Sequence, residues 1–116
     1  MTNDRKKQIS KLRKAAKKLR SLAKKKMRKN LSPAESDQIS QYIDWLIDSS
    51  NKLISLANQL ESATEEKIEE VNEAISKMQA QLLQQAQNKM AVMMQTISNL
   101  MKNIHDTANA IINNMR

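Results

Sequence analysis

The stretch "LLQQAQNKM" at residues 82–90 decides how this chain folds. It contains no proline and no glycine, and Asn88 is its one good turn former. Around it, Ile68, Val71, Ile75, Met78, Leu82, Ala86, Met90, Met93, Ile97, Leu100, Ile104, Ala108, Ile111 and Met115 recur at a mean spacing close to 3.6, the period of one helix face. If that phase runs through unbroken, residues 65–116 form one helix roughly 77 Å long at about 1.5 Å per residue. If the chain turns near 84–88, two shorter helices result. The continuous phase favours the long helix, with a four-helix bundle as the alternative. A second place to turn is His105-Asp106-Thr107, where Asp106 is a possible N-cap.

The remainder of the chain fixes the fold class. A chain of 116 residues allows one domain, and 40% hydrophobic residues allow a modest core. Phe and Cys are absent, with a single Trp and a single Tyr, so that core is built from Leu, Ile, Ala and Met. There is no glycine and one proline, which argues against hairpins and tight turns. The expected fold is all-α: an antiparallel helical hairpin or three-helix bundle with a long C-terminal helix. Residues 1–30 read as a basic amphipathic helix, and residues 31–116 as a helical core with an association helix. No apolar run approaches the ~18 residues that a membrane span needs. The basic N-terminus lacks the apolar segment of a secretory signal, so a cytoplasmic or nucleoid-associated location is expected.

Charge is unevenly spread. Fourteen of the twenty-five residues at 5–29 are Lys or Arg. Residues 1–30 carry +13, and residues 31–116 carry −5. On a helical wheel Ile9, Leu12, Ala15, Ala16, Leu19, Leu22 and Ala23 fall within an arc of roughly 140°. Opposite them stand two basic rows, one of Lys6, Arg13, Lys17, Arg20 and Lys24, the other of Lys7, Lys14, Lys18 and Lys25.

Two start signals divide the rest of the chain. In "NLSPAES", Ser32 is an N-cap candidate, Pro33 suits the first helical position, and Glu35 completes a capping box. The second helix should run from Pro33 to about Glu61. Its stripe of Ile39, Ile43, Leu46, Leu53, Ala57 and Leu60 is widened by Tyr42, Trp45, Leu56, Ile47 and Ile54 to roughly 200°, enough for two neighbours. In "ESATEEKIEE", Ser62 and Thr64 compete as N-cap, and Glu65, Glu66, Glu69 and Glu70 sit at the favourable end of a helix dipole. Past Ala86 the apolar face widens through Val92, Met94, Met101 and Ile112. On a long helix that half has no neighbour within the chain. Met90, Met93, Met94, Ile97, Leu100, Met101 and Ile104 are therefore expected to form an oligomer or partner interface.

No catalytic constellation stands out. His105 is the one histidine, and nothing marks a nucleophile for it; a solvated or capping role is expected. The carboxylates at 65, 66, 69, 70 and 73 read as a solvated helix start rather than a metal cluster, and no cofactor is implied. The basic helix is the main functional candidate. Arg13, Lys14, Lys17, Lys18, Arg20, Lys24 and Lys25 have the composition of a phosphate-backbone contact. The expected role is a non-enzymatic nucleic-acid-binding accessory or architectural protein of low sequence specificity. The alternative is an adaptor, chaperone or inhibitor that docks on an acidic protein surface. An anionic membrane surface is less favoured, because the apolar face is small and lacks an aromatic anchor. The plainest competing reading is internal, with the basic rows paired to Glu65, Glu66, Glu69, Glu70 and Glu73.

Overall fold

The computed structural model describes residues 2–24, 33–93 and 99–116, with residues 34, 35, 93, 99 and 100 described in backbone alone. Four helices account for nearly all of them: α1 Asn3–Ala23, α2 Pro33–Ser62, α3 Glu65–Met93 and α4 Asn99–Asn113. They form an up-down-up-down bundle in which each helix packs on its two ring neighbours, α1 on α2, α2 on α3, α3 on α4 and α4 on α1. The bundle measures 51 × 22 × 18 Å. No helix among the described residues is long and apolar enough to cross a membrane.

The all-α expectation holds, and the four-helix alternative displaces the long C-terminal helix. The overturning contacts lie between α3 and α4. Gln79 Nε2 donates to the carbonyls of Ile112 (3.0 Å) and Asn113 (3.1 Å). On a straight helix those residues would stand about 50 Å apart. The chain therefore doubles back, and α4 runs antiparallel to α3. Neither expected break is the corner. α3 passes through residues 84–88 without interruption, and α4 passes through His105-Asp106-Thr107. α3 ends at Met93, and α4 begins at Asn99.

Local signals explain the other boundaries. Thr2 is extended (φ −72°, ψ 158°), and its Oγ1 accepts from Arg5 N at 3.2 Å, capping α1. α2 begins at Pro33, whose fixed φ suits a first helical residue. The proposed partners of that start, Ser32 and the Glu35 side chain, lie outside what is described. Between α2 and α3 stand only Ala63 and Thr64. Ser62 ends α2, its hydroxyl donating back to Asn58 O at 3.1 Å, so Thr64 takes the cap position of α3.

The core is a single cluster of Leu, Ile, Ala and Met side chains, with Tyr42 and Trp45 among them. α2 shows the two-sided burial its wide stripe required: Ile39, Leu46, Leu53, Leu56, Ala57 and Leu60 are buried, while Ile43 and Ile54 are half-buried and Ile47 exposed. α1 and α2 pack most intimately along their lengths. Small residues allow this, with Ala15 and Ala16 buried on α1 and Ser49, Ser50 and Ala57 buried on α2. Across the α2–α3 seam, Trp45 Nε1 donates to Gln85 Oε1 at 2.8 Å, so the indole is buried without stranding its N–H.

The antiparallel return of α4 also buries part of the widened apolar face. Met101 and Ile104, expected at an interface between chains, are 4% and 2% exposed and belong to this chain's own core. Met90 is half-buried. Met94 and Ile97 lie outside the described residues, as do the side chains of Met93 and Leu100. Ile112 of the widened face is buried as well, whereas Val92 near the end of α3 is 69% exposed.

Candidate polyanion-binding face

α1 shows the division its wheel required. Ile9, Leu12, Ala15, Ala16, Leu19 and Leu22 are buried, and Lys6, Lys7, Lys11, Arg13, Lys14, Lys17, Lys18, Arg20 and Lys24 are exposed. Lys25, Lys26, Arg28 and Lys29 lie outside the described residues. Because α1 is fixed along one side by the core, the exposed amines are held on a rigid helix.

The two residue types on that face behave differently. The guanidiniums are committed to the bundle. Arg5 Nη1 donates to Ala63 O at 2.9 Å. Arg13 bridges to Glu61 Oε2 at 3.1 Å and Asn58 Oδ1 at 3.2 Å. Arg20 Nε donates to Ser50 Oγ at 3.1 Å, and its Nη2 to Asn51 Oδ1. These three arginines fasten α1 onto α2, and planar, multi-donor heads suit them to that task. Arg13 and Arg20, grouped by sequence with the phosphate-contacting lysines, are thus also packing residues.

The lysines are far less committed. Lys11 Nζ donates to the backbone oxygen of Arg116 at 3.1 Å. Among the described residues, the ion pairs are Arg13–Glu61 and Lys67–Glu70 (3.5 Å), and neither involves a lysine of α1. The expected pairing with Glu65, Glu66, Glu69, Glu70 and Glu73 is absent among them, for a topological reason. In a four-membered ring α1 and α3 are diagonal, and no close contact joins their described residues. Those five carboxylates are exposed on α3.

Two grooves flank the lysine face. Beside α2, one is lined by Lys6, Arg13, Lys14 and Lys17 together with Glu61. Beside α4, a second has Lys11, Lys14, Lys17 and Lys18 on the α1 side and Thr107, Ala110, Ile111 and Asn114 on the other.

His105 departs from its expected place. It is 4% exposed, inside the bundle rather than at a solvated cap. Asn109 Nδ2 lies 3.2 Å from Nε2, and Tyr42 Oη lies 3.4 Å from Nδ1. With the amide donating to Nε2, the ring proton resides on Nδ1 and faces the tyrosine. Burial lowers the imidazole pKa below its ordinary value, and neighbouring Asp106 opposes that in part. Burial, with Asp106 adding to it, raises the Tyr42 phenol. Both ring nitrogens are engaged by neutral partners. Among the described residues no group of three His, Asp or Glu side chains is placed to hold a metal ion. The apolar phase did not flag His105, because it stands beside the stripe centred on Ile104 and Ala108.

Fold and face together describe a small four-helix bundle with one strongly cationic helix. Comparison with protein-family models, with curated proteins and with solved structures finds no match for the chain.

Proposed function

We propose that this protein is a non-enzymatic nucleic-acid-binding accessory or architectural factor whose α1 lysines contact the phosphate backbone. One observation carries the reading: Lys6, Lys7, Lys11, Lys14, Lys17, Lys18 and Lys24 are exposed on one rigid helix, and no carboxylate among the described residues pairs with them. Such a field is relieved by a polyanion, which releases its counterions when it binds.

Geometry limits what that contact reads. α1 is flanked by α2 and α4, so its lysine-bearing outer face is what a partner meets. Lysines reach phosphates, and the Lys-rich part of α1 has no aromatic residue and only Gln8 among the amides that read base edges, which predicts low sequence preference. The alternative adaptor reading required an exposed Met/Ile face on the C-terminal helix as well as charge. Met101 and Ile104 of that face are taken up by the chain's own core, which favours the reading that rests on charge alone.

The test is a salt titration of binding to a fluorescein-labelled DNA duplex. Affinity should fall log-linearly, with a slope near −0.9 per phosphate contacted, and shuffled sequences should give the same line. Absence of binding at about 50 mM salt, where such contacts are strong, would overturn the proposal.

A further inference from the structure

The two flanks of α1 are not equivalent, and the difference selects a path for the polyanion. On the α2 flank the arginines are already used, and Glu61 lines the groove. A phosphate there would meet a carboxylate. On the α4 flank lies a groove of about 690 Å³ with no carboxylate in its lining. Lys11, Lys14 and Lys18 form one wall, and Thr107 and Asn114 supply uncharged polar groups opposite.

The lysine spacing suits a continuous strand. From Lys11 to Lys18 the helix rises about 10 Å. A strand winds as it advances roughly 3.4 Å of axis per phosphate, so its phosphates stand farther apart along the strand itself, and the three ammonium groups face about two of them over that length.

The same face lacks what other nucleic acids require. Unpaired bases are held by stacking on aromatic rings. Here Tyr42 and Trp45 are buried on α2, and α1 has no aromatic residue. Duplex RNA is recognised largely through its shape and its 2′-hydroxyls across a wide minor groove, whereas a single straight lysine wall supplies phosphate contacts alone.

Resting on the phosphate-binding reading above, we infer that the α1–α4 groove is the track for one backbone strand of a DNA duplex. Lys11, Lys14 and Lys18 contact its phosphates from one side, and the Thr107 and Asn114 wall lies on the other.

Two charge-matched triple variants test this. Lys11→Gln/Lys14→Gln/Lys18→Gln empties the groove wall, whereas Lys6→Gln/Lys7→Gln/Lys24→Gln removes the same charge outside it. The probes are a labelled mixed-sequence DNA duplex of about 20 base pairs, one strand of it alone, and the matching RNA duplex, a length that exceeds the track several-fold. The groove triple should weaken DNA-duplex binding on the order of a hundredfold at about 0.1 M salt and flatten the salt slope by about 2. The outer triple should cost only a few-fold. Asn114→Glu leaves α1 intact and places a carboxylate on the opposite wall, so it should also weaken binding. If the groove triple loses helicity, the Asn114→Glu variant decides between track and no track. Equal losses from the two triples, or no effect of Asn114→Glu, would overturn the track while leaving phosphate binding intact. Tighter binding of the single strand or the RNA duplex would overturn the DNA assignment. A wild-type protein that binds none of the three sinks this inference and the proposed function together.

Discussion

His105 and Tyr42 meet inside the bundle, where a proton cannot be added without cost. A histidine whose folded pKa is depressed favours the folded state only while it is neutral. Above the ordinary imidazole pKa of about 6.5, both folded and unfolded chains hold it neutral. Below that value the unfolded chain takes up a proton that the folded chain resists, so stability falls with falling pH. The thermal midpoint should therefore drop between about pH 7.5 and 5.5, above the range in which ordinary carboxylates titrate. Replacing His105→Gln should flatten that drop, since Gln does not titrate. Parallel profiles for the two proteins would show that His105 is not held away from protons. Arg13 and Arg20 carry a second expectation at this scale. Because each joins α1 to α2 through exposed or partly buried polar contacts, Arg13→Gln with Arg20→Gln should cost about 1 kcal/mol of stability, measured by urea unfolding. A loss of several kcal/mol would mean that these contacts anchor the bundle to a degree exposed pairs do not reach. A wheel places Arg13 in the same row as Lys17 and cannot show that one reaches a carboxylate on α2 while the other does not.

At the scale of elements, α4 is the part of the core that the reading of a continuous helix assigned elsewhere. Ile104 is packed within the chain. Truncation to Ile104→Ala should cost about 2–5 kcal/mol, as large-to-small changes in packed cores do. The unfolding midpoint should not depend on protein concentration. A midpoint that rises with concentration would place Ile104 between chains instead. The corner was illegible because of its residues. Apolar phase is a property of faces, and it is kept through Ala86, Met90, Ile104 and Ala108 whether or not the helix turns between them. Glycine and proline normally announce such a reversal, and this corner has neither. The other elements were legible because their signals are local. Pro33 stands at the start of α2, and Thr64 with Glu65 and Glu66 stands at the start of α3. The wide stripe of α2 likewise told correctly of two neighbours. The α1 lysines were legible as an exposed face. Their lack of acidic partners was not, because it depends on α3 being diagonal to α1, which is set by the number of helices.

For the molecule as a whole, the consequence of that diagonal is a charge distribution at odds with itself. α1 holds like charges at three- and four-residue spacing, among them Lys7 with Lys11, Lys11 with Lys14, and Lys14 with Lys18. Each such pair is destabilising by about 0.2–0.5 kcal/mol in an exposed helix. The acids that might offset them lie across the bundle at Glu65, Glu66, Glu69, Glu70 and Glu73. At about 0.1 M salt the Debye length is about 10 Å, and beyond it screening removes most of the attraction between exposed charges. Repulsion within α1 should therefore outweigh long-range attraction, and the sign of the salt effect on stability becomes diagnostic. Sodium chloride raised from about 10 mM to 0.3 M shortens the Debye length several-fold and should raise the thermal midpoint of the free protein, since it screens repulsion more than it loosens pairing. Chloride is the appropriate anion, because sulfate also stabilises folded proteins by exclusion from their surfaces. The Lys11→Gln/Lys14→Gln/Lys18→Gln variant should start from a higher midpoint at low salt and respond less to added salt. Gln is nearly as good a helix former as Lys, so this difference reports charge rather than propensity. If the wild-type midpoint instead falls as chloride is added, the lysines are held by attractive pairs inside the molecule, and the free positive face on which phosphate binding depends does not exist.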